Sequence, residues 1–113
     1  MVKKRFLPSK REKKRYLAFE IVSKNKIELS KIAGAISTSL IEIVGYEAHI
    51  KILVEKWNEE NQRGIIKVNN KYIDDLKNAL QLIGKADHEE IEIKALGVSG
   101  ILNKAEKKYL IAG

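Results

Sequence analysis

Hydrophobic and polar positions alternate from Arg15 to Ser23, with Leu17, Phe19 and Ile21 on one side and Tyr16, Ala18, Glu20 and Val22 on the other. A period of two predicts a β-strand. The polar Lys24-Asn25-Lys26 interrupts it. From Glu28 to Val44 the apolar residues Leu29, Ile32, Ala33, Ile36, Leu40 and Ile43 recur every three or four positions, which predicts a helix that stops at Gly45. Alternation returns from Glu47 to Trp57 through Ala48, Ile50, Ile52 and Val54. After a polar loop at Asn58–Gln62, Arg63–Asn69 reads as a short strand, and the two form a hairpin. Asn70 is the expected cap of a second helix. Asp74 and Asp75 lie in its first turn, where the helix dipole favours anions. Its apolar stripe is Ile73, Leu76, Ala79, Leu80 and Ile83, and Gly84 is expected to stop it. Ile91–Val98 forms a fourth strand, and Gly97-Val98-Ser99-Gly100 turns the chain into a last helix, Ile101–Ile111.

The expected order is β-α-β-β-α-β followed by a helix. That is the α+β, ferredoxin-like pattern shared by RNA-recognition domains: an antiparallel sheet with the first two helices on one face. The other face either stays open or is partly covered by the last helix through Ile101, Leu102, Ala105 and Tyr109. On that face the alternation also places Tyr16, Ala18, Val22, Leu53, Ile65 and Leu96. These make it more apolar than a solvated sheet face would be. Tyr16, Val22, Leu53, Ile65 and Leu96 are therefore the candidate surface for a protein partner. Trp57, at a strand end, is expected to plug the core.

Charge changes the picture most. Of 22 basic residues among 113, eight fall in the first fifteen positions: Lys3, Lys4, Arg5, Lys10, Arg11, Lys13, Lys14 and Arg15. Only Glu12 opposes them, so this stretch carries the whole net charge of +7. The chain thus divides into a basic arm, residues 1–15, and a neutral domain, residues 16–113. Clustered cations displace condensed counterions from a phosphate backbone, so a nucleic acid is the expected partner. Arg63 and Lys67 on the third strand, and Lys104, Lys107 and Lys108 on one face of the last helix, are candidates to extend the contact. Arg63-Gly64 begins like the RNP1 signature of RNA-recognition domains. The stacking aromatics of that signature are replaced by Ile65, Ile66 and Asn69, which favours sequence-independent contact with a folded RNA. The Ser99-Gly100 turn offers backbone N–H groups to a phosphate.

Catalytic chemistry is not signalled. His49 sits mid-strand and His88 in a charged loop, neither with a ligand at metal spacing. The acid pairs Glu59-Glu60, Asp74-Asp75 and Glu89-Glu90 are sequence neighbours whose side chains diverge. No catalytic residue and no metal ligand is expected. The chain has no cysteine, which excludes disulfides and thiolate metal sites. It has no apolar run near the ~18 residues that span a bilayer and no signal-peptide core. A cytoplasmic protein with no membrane partner is expected.

Three segments carry a resemblance. Leu7-Pro8-Ser9-Lys10-Arg11-Glu12-Lys13-Lys14-Arg15-Tyr16, Gly64-Ile65-Ile66-Lys67-Val68 and Leu96-Gly97-Val98-Ser99-Gly100 with the basic helix after it resemble the archaeal ribonuclease P protein component 2 family. The likeness runs from about residue 7 to 110. It departs at Ile101, where the family usually has Thr, and in lacking the long basic tail of some members. The resemblance implies a protein subunit of the ribonucleoprotein that removes the 5′ leader from precursor tRNA, an endonuclease and hydrolase whose catalysis belongs to the RNA. It further implies Mg²⁺ at the RNA active site with no cofactor on the protein. The implied partners are the catalytic RNA, precursor tRNA and ribonuclease P protein component 3, the two proteins assembling as a heterotetramer. The alternative that charge and fold leave open is a stand-alone ferredoxin-like RNA-binding module associated with ribosomes or other RNA. A small ferredoxin-like phosphatase would need an arginine cradle after the first strand, where Lys24-Asn25-Lys26-Ile27 supplies none.

Overall fold

The computed structural model describes residues 13–45, 53–86 and 88–111. The elements are β1 (Lys14–Ser23), α1 (Leu29–Val44), β2 (Leu53–Asn58), β3 (Arg63–Asn69), a 3₁₀ turn at Asn70–Tyr72, α2 (Ile73–Leu82), β4 (Lys85–Ala86), β5 (Glu89–Ser99) and α3 (Leu102–Ala105). After α3 the chain widens into π-helical turns over Glu106–Ile111. The sheet order is β2-β3-β1-β5-β4, and every pairing is antiparallel. This is the expected α+β, ferredoxin-like arrangement, with β1 in the centre between β3 and β5.

The central strand explains the two-layer covering. Leu17 and Phe19 point to one face and Ala18 to the other, and all three have no exposed surface. On the first face α1 brings Ile32, Ile36 and Leu40, and α2 brings Ile73, Leu76, Ala79 and Leu80. These pack on Leu17, Phe19, Ile21, Ile66, Val68, Ile91 and Ile93 to form the main core. The second face carries a smaller cluster of Ala18, Ile65, Ala105 and Leu110, flanked by Tyr16, Leu96, Leu102 and Tyr109. The last helix therefore lies across this face, the covered one of the two expected arrangements, with one exchange: Ile101 is 51% exposed and Leu110 takes its place in the cluster.

Several boundaries differ from the sequence reading for identifiable reasons. Lys14 and Arg15, read as the end of the arm, are paired in β1 with Asn69 and Val68. Asn70 does not cap α2, which starts after Tyr72 with no side-chain cap; Asn69 instead caps the 3₁₀ turn before it, its Oδ1 accepting the Lys71 N–H at 2.8 Å. The α2 helix stops at Leu82, before Gly84, with Ile83 already extended. Gly45 does end α1, at φ 87°, and its N–H reaches the Ile41 carbonyl at 2.7 Å. The two-residue β4, which pairs with Glu89 and Glu90 through a turn holding His88 at φ 70°, was not foreseen. The first half of the expected second strand, residues 47–52, lies outside the described residues. Within β2 the register slips between Val54 and Lys56. This bulge turns Val54 and Trp57 to the same face, where both pack on the main core.

Two glycines are required by close approach. Gly64 sits opposite both Phe19 and Trp57 in the sheet. Their rings, with centroids 6.0 Å apart, close over it. A Cβ on Gly97 would run into the Tyr109 hydroxyl, so the last helix seats Tyr109 on bare backbone. Gln62 closes the β2–β3 turn at φ 53° and is buried. Its side-chain carbonyl accepts the Ile27 N–H at 3.1 Å and its amide donates to the Glu59 carbonyl at 3.1 Å, so it ties the start of α1 to the hairpin.

Candidate nucleic-acid interface

Strand directions bring the start of β1, the end of β3 and the end of β5 to one end of the sheet. Lys14 is opposite Asn69, and Tyr16 is opposite both Lys67 and Ser99. The Asn70 N–H donates to the Lys13 carbonyl at 2.7 Å, so Lys71 follows beside Lys13. The Arg15 guanidinium reaches the Ser99-Gly100 turn, 3.5 Å from where a Gly100 Cβ would stand. The next residues open α3, with Lys104 in that single turn. Lys13, Lys14, Lys71 and Lys104 are exposed, and Arg15 is half-buried. The acids close to this group in sequence are Glu12 before Lys13, Asp74 and Asp75 at the start of α2, and Glu106 after Lys104. The opposite end of the sheet carries Glu59 and Glu60 in the β2–β3 turn and Glu89 and Glu90 at the start of β5.

Sequence reasoning missed Lys71, because nothing in its neighbourhood alternates or repeats. Its signal was the Asn-Asn pair before it, which caps a turn and presents the next side chain outward. Of the expected arm contacts, Lys3, Lys4, Arg5, Lys10 and Arg11 lie outside the described residues, as does His49. Lys107 and Lys108 are exposed beyond Lys104, with the Lys108 ammonium 5.5 Å over the Tyr109 ring. They lead away from the basic end, because the segment finishes at the β2–β3 turn, where the Leu110 carbonyl accepts the Asn61 amide at 3.5 Å.

Arg63 and Lys67 have other work. The Arg63 Nε meets Glu20 at 3.2 Å, and its Nη1 donates to the Tyr109 carbonyl at 2.9 Å. Tyr109 lies in the last turn of the π-helical segment, where carbonyls have no helical donor, and Arg63 supplies one. It is a latch for the last helix. Lys67 is half-buried, 3.9 Å from Glu55. Arg63→Ala is therefore expected to loosen Glu106–Leu110 and cost about 1–2 kcal/mol, the lower range for a charged hydrogen bond because the pair is partly solvated. Amide exchange along that segment is expected to rise while the salt dependence of RNA binding stays unchanged. A flattened salt dependence without faster exchange would make Arg63 a phosphate contact instead.

Ser99 is likewise engaged. Its hydroxyl accepts the Ile101 N–H at 3.1 Å and donates to the Ile101 carbonyl at 3.0 Å, holding the turn into α3. The candidate protein surface divides. Ile65 has no exposure beneath the last helix, with Tyr16 and Leu96 at its margin. Val22 and Leu53, exposed at 43% and 53%, stand apart: Leu53 pairs with Lys67 at the basic end, Val22 with Glu92 at the other. His88 is an exposed turn residue. Among the described residues no three His, Asp or Glu side chains come together to hold a metal.

The sequence model of the Rpp14/Pop5 family matches residues 15–110, from the first strand to the end of the last helix. The chain belongs to this family. Curated relatives of the Rpp14/Pop5 chain are each named ribonuclease P protein component 2. The protein from Thermococcus kodakarensis is 29% identical over 105 residues, covering 91% of this chain and 88% of the relative. That from Pyrococcus furiosus is 32% identical with the same coverage, and that from Methanosarcina mazei is 31% identical over 107 residues, covering 95% and 92%. The resemblance carried by the three motifs is thereby borne out. Among solved structures, a chain in the cryo-EM structure of yeast ribonuclease MRP shares the fold, with a TM-score of 0.62 at 15% identity over 87% of this chain and 78% of that one.

Proposed function

We infer that this protein is a protein subunit of ribonuclease P, the ribonucleoprotein that removes the 5′ leader from precursor tRNA. The observation that carries the reading is the family match across nearly the whole chain, together with relatives of that name covered over most of their length. The basic end of the sheet supplies a physical role: it neutralises RNA phosphates and so helps the catalytic RNA fold and hold its substrate. Catalysis is assigned to the RNA and to Mg²⁺ bound by it, and the protein contributes no catalytic residue. No described helix is long and apolar enough to cross a membrane, and the assembly is proposed to act in the cytoplasm. The protein partner is ribonuclease P protein component 3, in a heterotetramer.

The test is capture of the tagged protein from its native extract, with sequencing of bound RNA and identification of bound protein. The catalytic RNA of ribonuclease P and component 3 are the expected products. Ribosomal RNA in their place would favour the stand-alone RNA-binding module.

A further inference from the structure

We propose that the RNA element met by the basic end of the sheet is the backbone of a paired segment, gripped by Lys13, Lys14, Arg15, Lys71 and Lys104. Unpaired bases are not its target. The proposal rests on the reading of the protein as an RNA-binding subunit and specifies what that site takes.

The first support is the state of the sheet face. Recognition of single strands on such a sheet uses exposed aromatic rings as stacking platforms. Here that face is occupied by the last helix. Ala18 and Ile65 have no exposed surface beneath Ala105 and Leu110. Tyr109 is seated on Gly97, and its carbonyl is held by Arg63. Among the described residues no aromatic ring is fully exposed: Phe19 is buried, and Tyr16, Trp57, Tyr72 and Tyr109 are each half-covered. Tyr72 also has the Lys71 ammonium 5.4 Å above its ring.

The second support is the fixed backbone from which the cations project. Lys14 and Arg15 stand on paired strand, Lys71 on a capped 3₁₀ turn bonded to Lys13, and Lys104 on a helical turn. Their backbone spacing is set before any ligand arrives. A fixed array gains most from phosphates that are also fixed, because neither side then loses much freedom on binding. A-form duplex presents phosphates in that way, whereas a flexible single strand must be ordered first.

The experiment uses the full-length protein with two synthetic RNAs of equal phosphate count, one a perfect hairpin and one an unstructured single strand, titrated at several salt concentrations. The hairpin is expected to bind about tenfold more tightly, with a steeper dependence on salt. Lys71→Ala combined with Lys104→Ala, both exposed and outside the core, is expected to remove most of that preference and to reduce the hairpin slope by about 0.7–0.9 for each phosphate no longer neutralised. Lys24→Ala with Lys26→Ala, at the other end of the sheet, is the control and leaves both unchanged. Equal or tighter binding of the single strand, or a preference that survives Lys71→Ala with Lys104→Ala, overturns the proposal. Capture of the catalytic RNA from extract in that event would leave the ribonuclease P reading standing, so the two failures are separable.

Discussion

Neutralising Lys10, Arg11, Lys13, Lys14 and Arg15 together is expected to lower the slope of log K against log salt by about 3.5–4.5, at about 0.7–0.9 for each phosphate left without its cation. The basis is the distribution of charge: the first fifteen residues carry the whole +7 of the protein. Lys10 and Arg11 lie outside the described residues, but Lys13 to Arg15 lead directly into the central strand. Affinity at moderate salt is expected to fall by several orders of magnitude. The fold is expected to persist, since Ala retains the backbone pairing of Lys14 and Arg15, and the side-chain hydrogen bond that is lost, from Arg15 to the Lys14 carbonyl at 3.2 Å, is local and exposed. Circular dichroism separates the two effects. A quintuple variant that stays folded and keeps the wild-type slope would show that the phosphate contacts lie elsewhere.

The largest effect on stability is expected at Gly64. A Cβ there would stand 2.7 and 2.9 Å from the Phe19 ring and 2.9 Å from the Trp57 ring. Phe19 has no exposed surface and is packed in the main core, so its ring gives way only by disturbing close-packed neighbours. Gly64→Ala is thus an overpacking change expected to cost about 1–3 kcal/mol. For a domain of this size that is a drop in Tm of roughly 4–8 °C for each kcal/mol. Phe19→Leu in the same chain is expected to recover part of the loss, so the two substitutions couple rather than add. Gly97→Ala makes a useful contrast. Its clash is with the far end of the half-exposed Tyr109, which can swing aside, so the main core is spared. A Gly64→Ala variant that melts at the wild-type temperature would contradict the packing described for the Phe19-Trp57 pair.

The alternation around Phe19 was legible because large aliphatic and aromatic residues fill one face of the strand, and the three-four spacing of Ile32, Ile36 and Leu40 because α1 buries one stripe. The hairpin and its β3 bounds, Arg63–Asn69, were legible because a polar loop separates two runs of β-formers. What escaped has a different physics. A two-residue strand such as β4 has no period to detect. The bulge at Glu55 shifts phase without changing composition, so the register slip escaped, although Trp57 packs on the core as its place at a strand end led one to expect. Asn69 and Asn70 are equivalent as caps until the backbone chooses one. Arg63 looked like a nucleic-acid cation because its neighbour is glycine, yet its partner, the Tyr109 carbonyl, is 46 residues away in sequence. Contacts of that length cannot be read from local pattern. Lys71 joined the site for the same reason: the Lys13–Asn70 hydrogen bond is made by the tertiary fold.

A ribonuclease P subunit that acts through RNA should reveal itself when the catalytic RNA is reconstituted with the remaining protein subunits and 5′-leader cleavage of precursor tRNA is followed with and without this protein, in Mg²⁺. Addition of the protein is expected to raise the rate at moderate Mg²⁺, the quintuple variant is expected to fail to do so, and the protein without RNA is expected to leave the substrate intact. Unchanged cleavage on addition, or cleavage by the protein with no RNA present, would contradict the account.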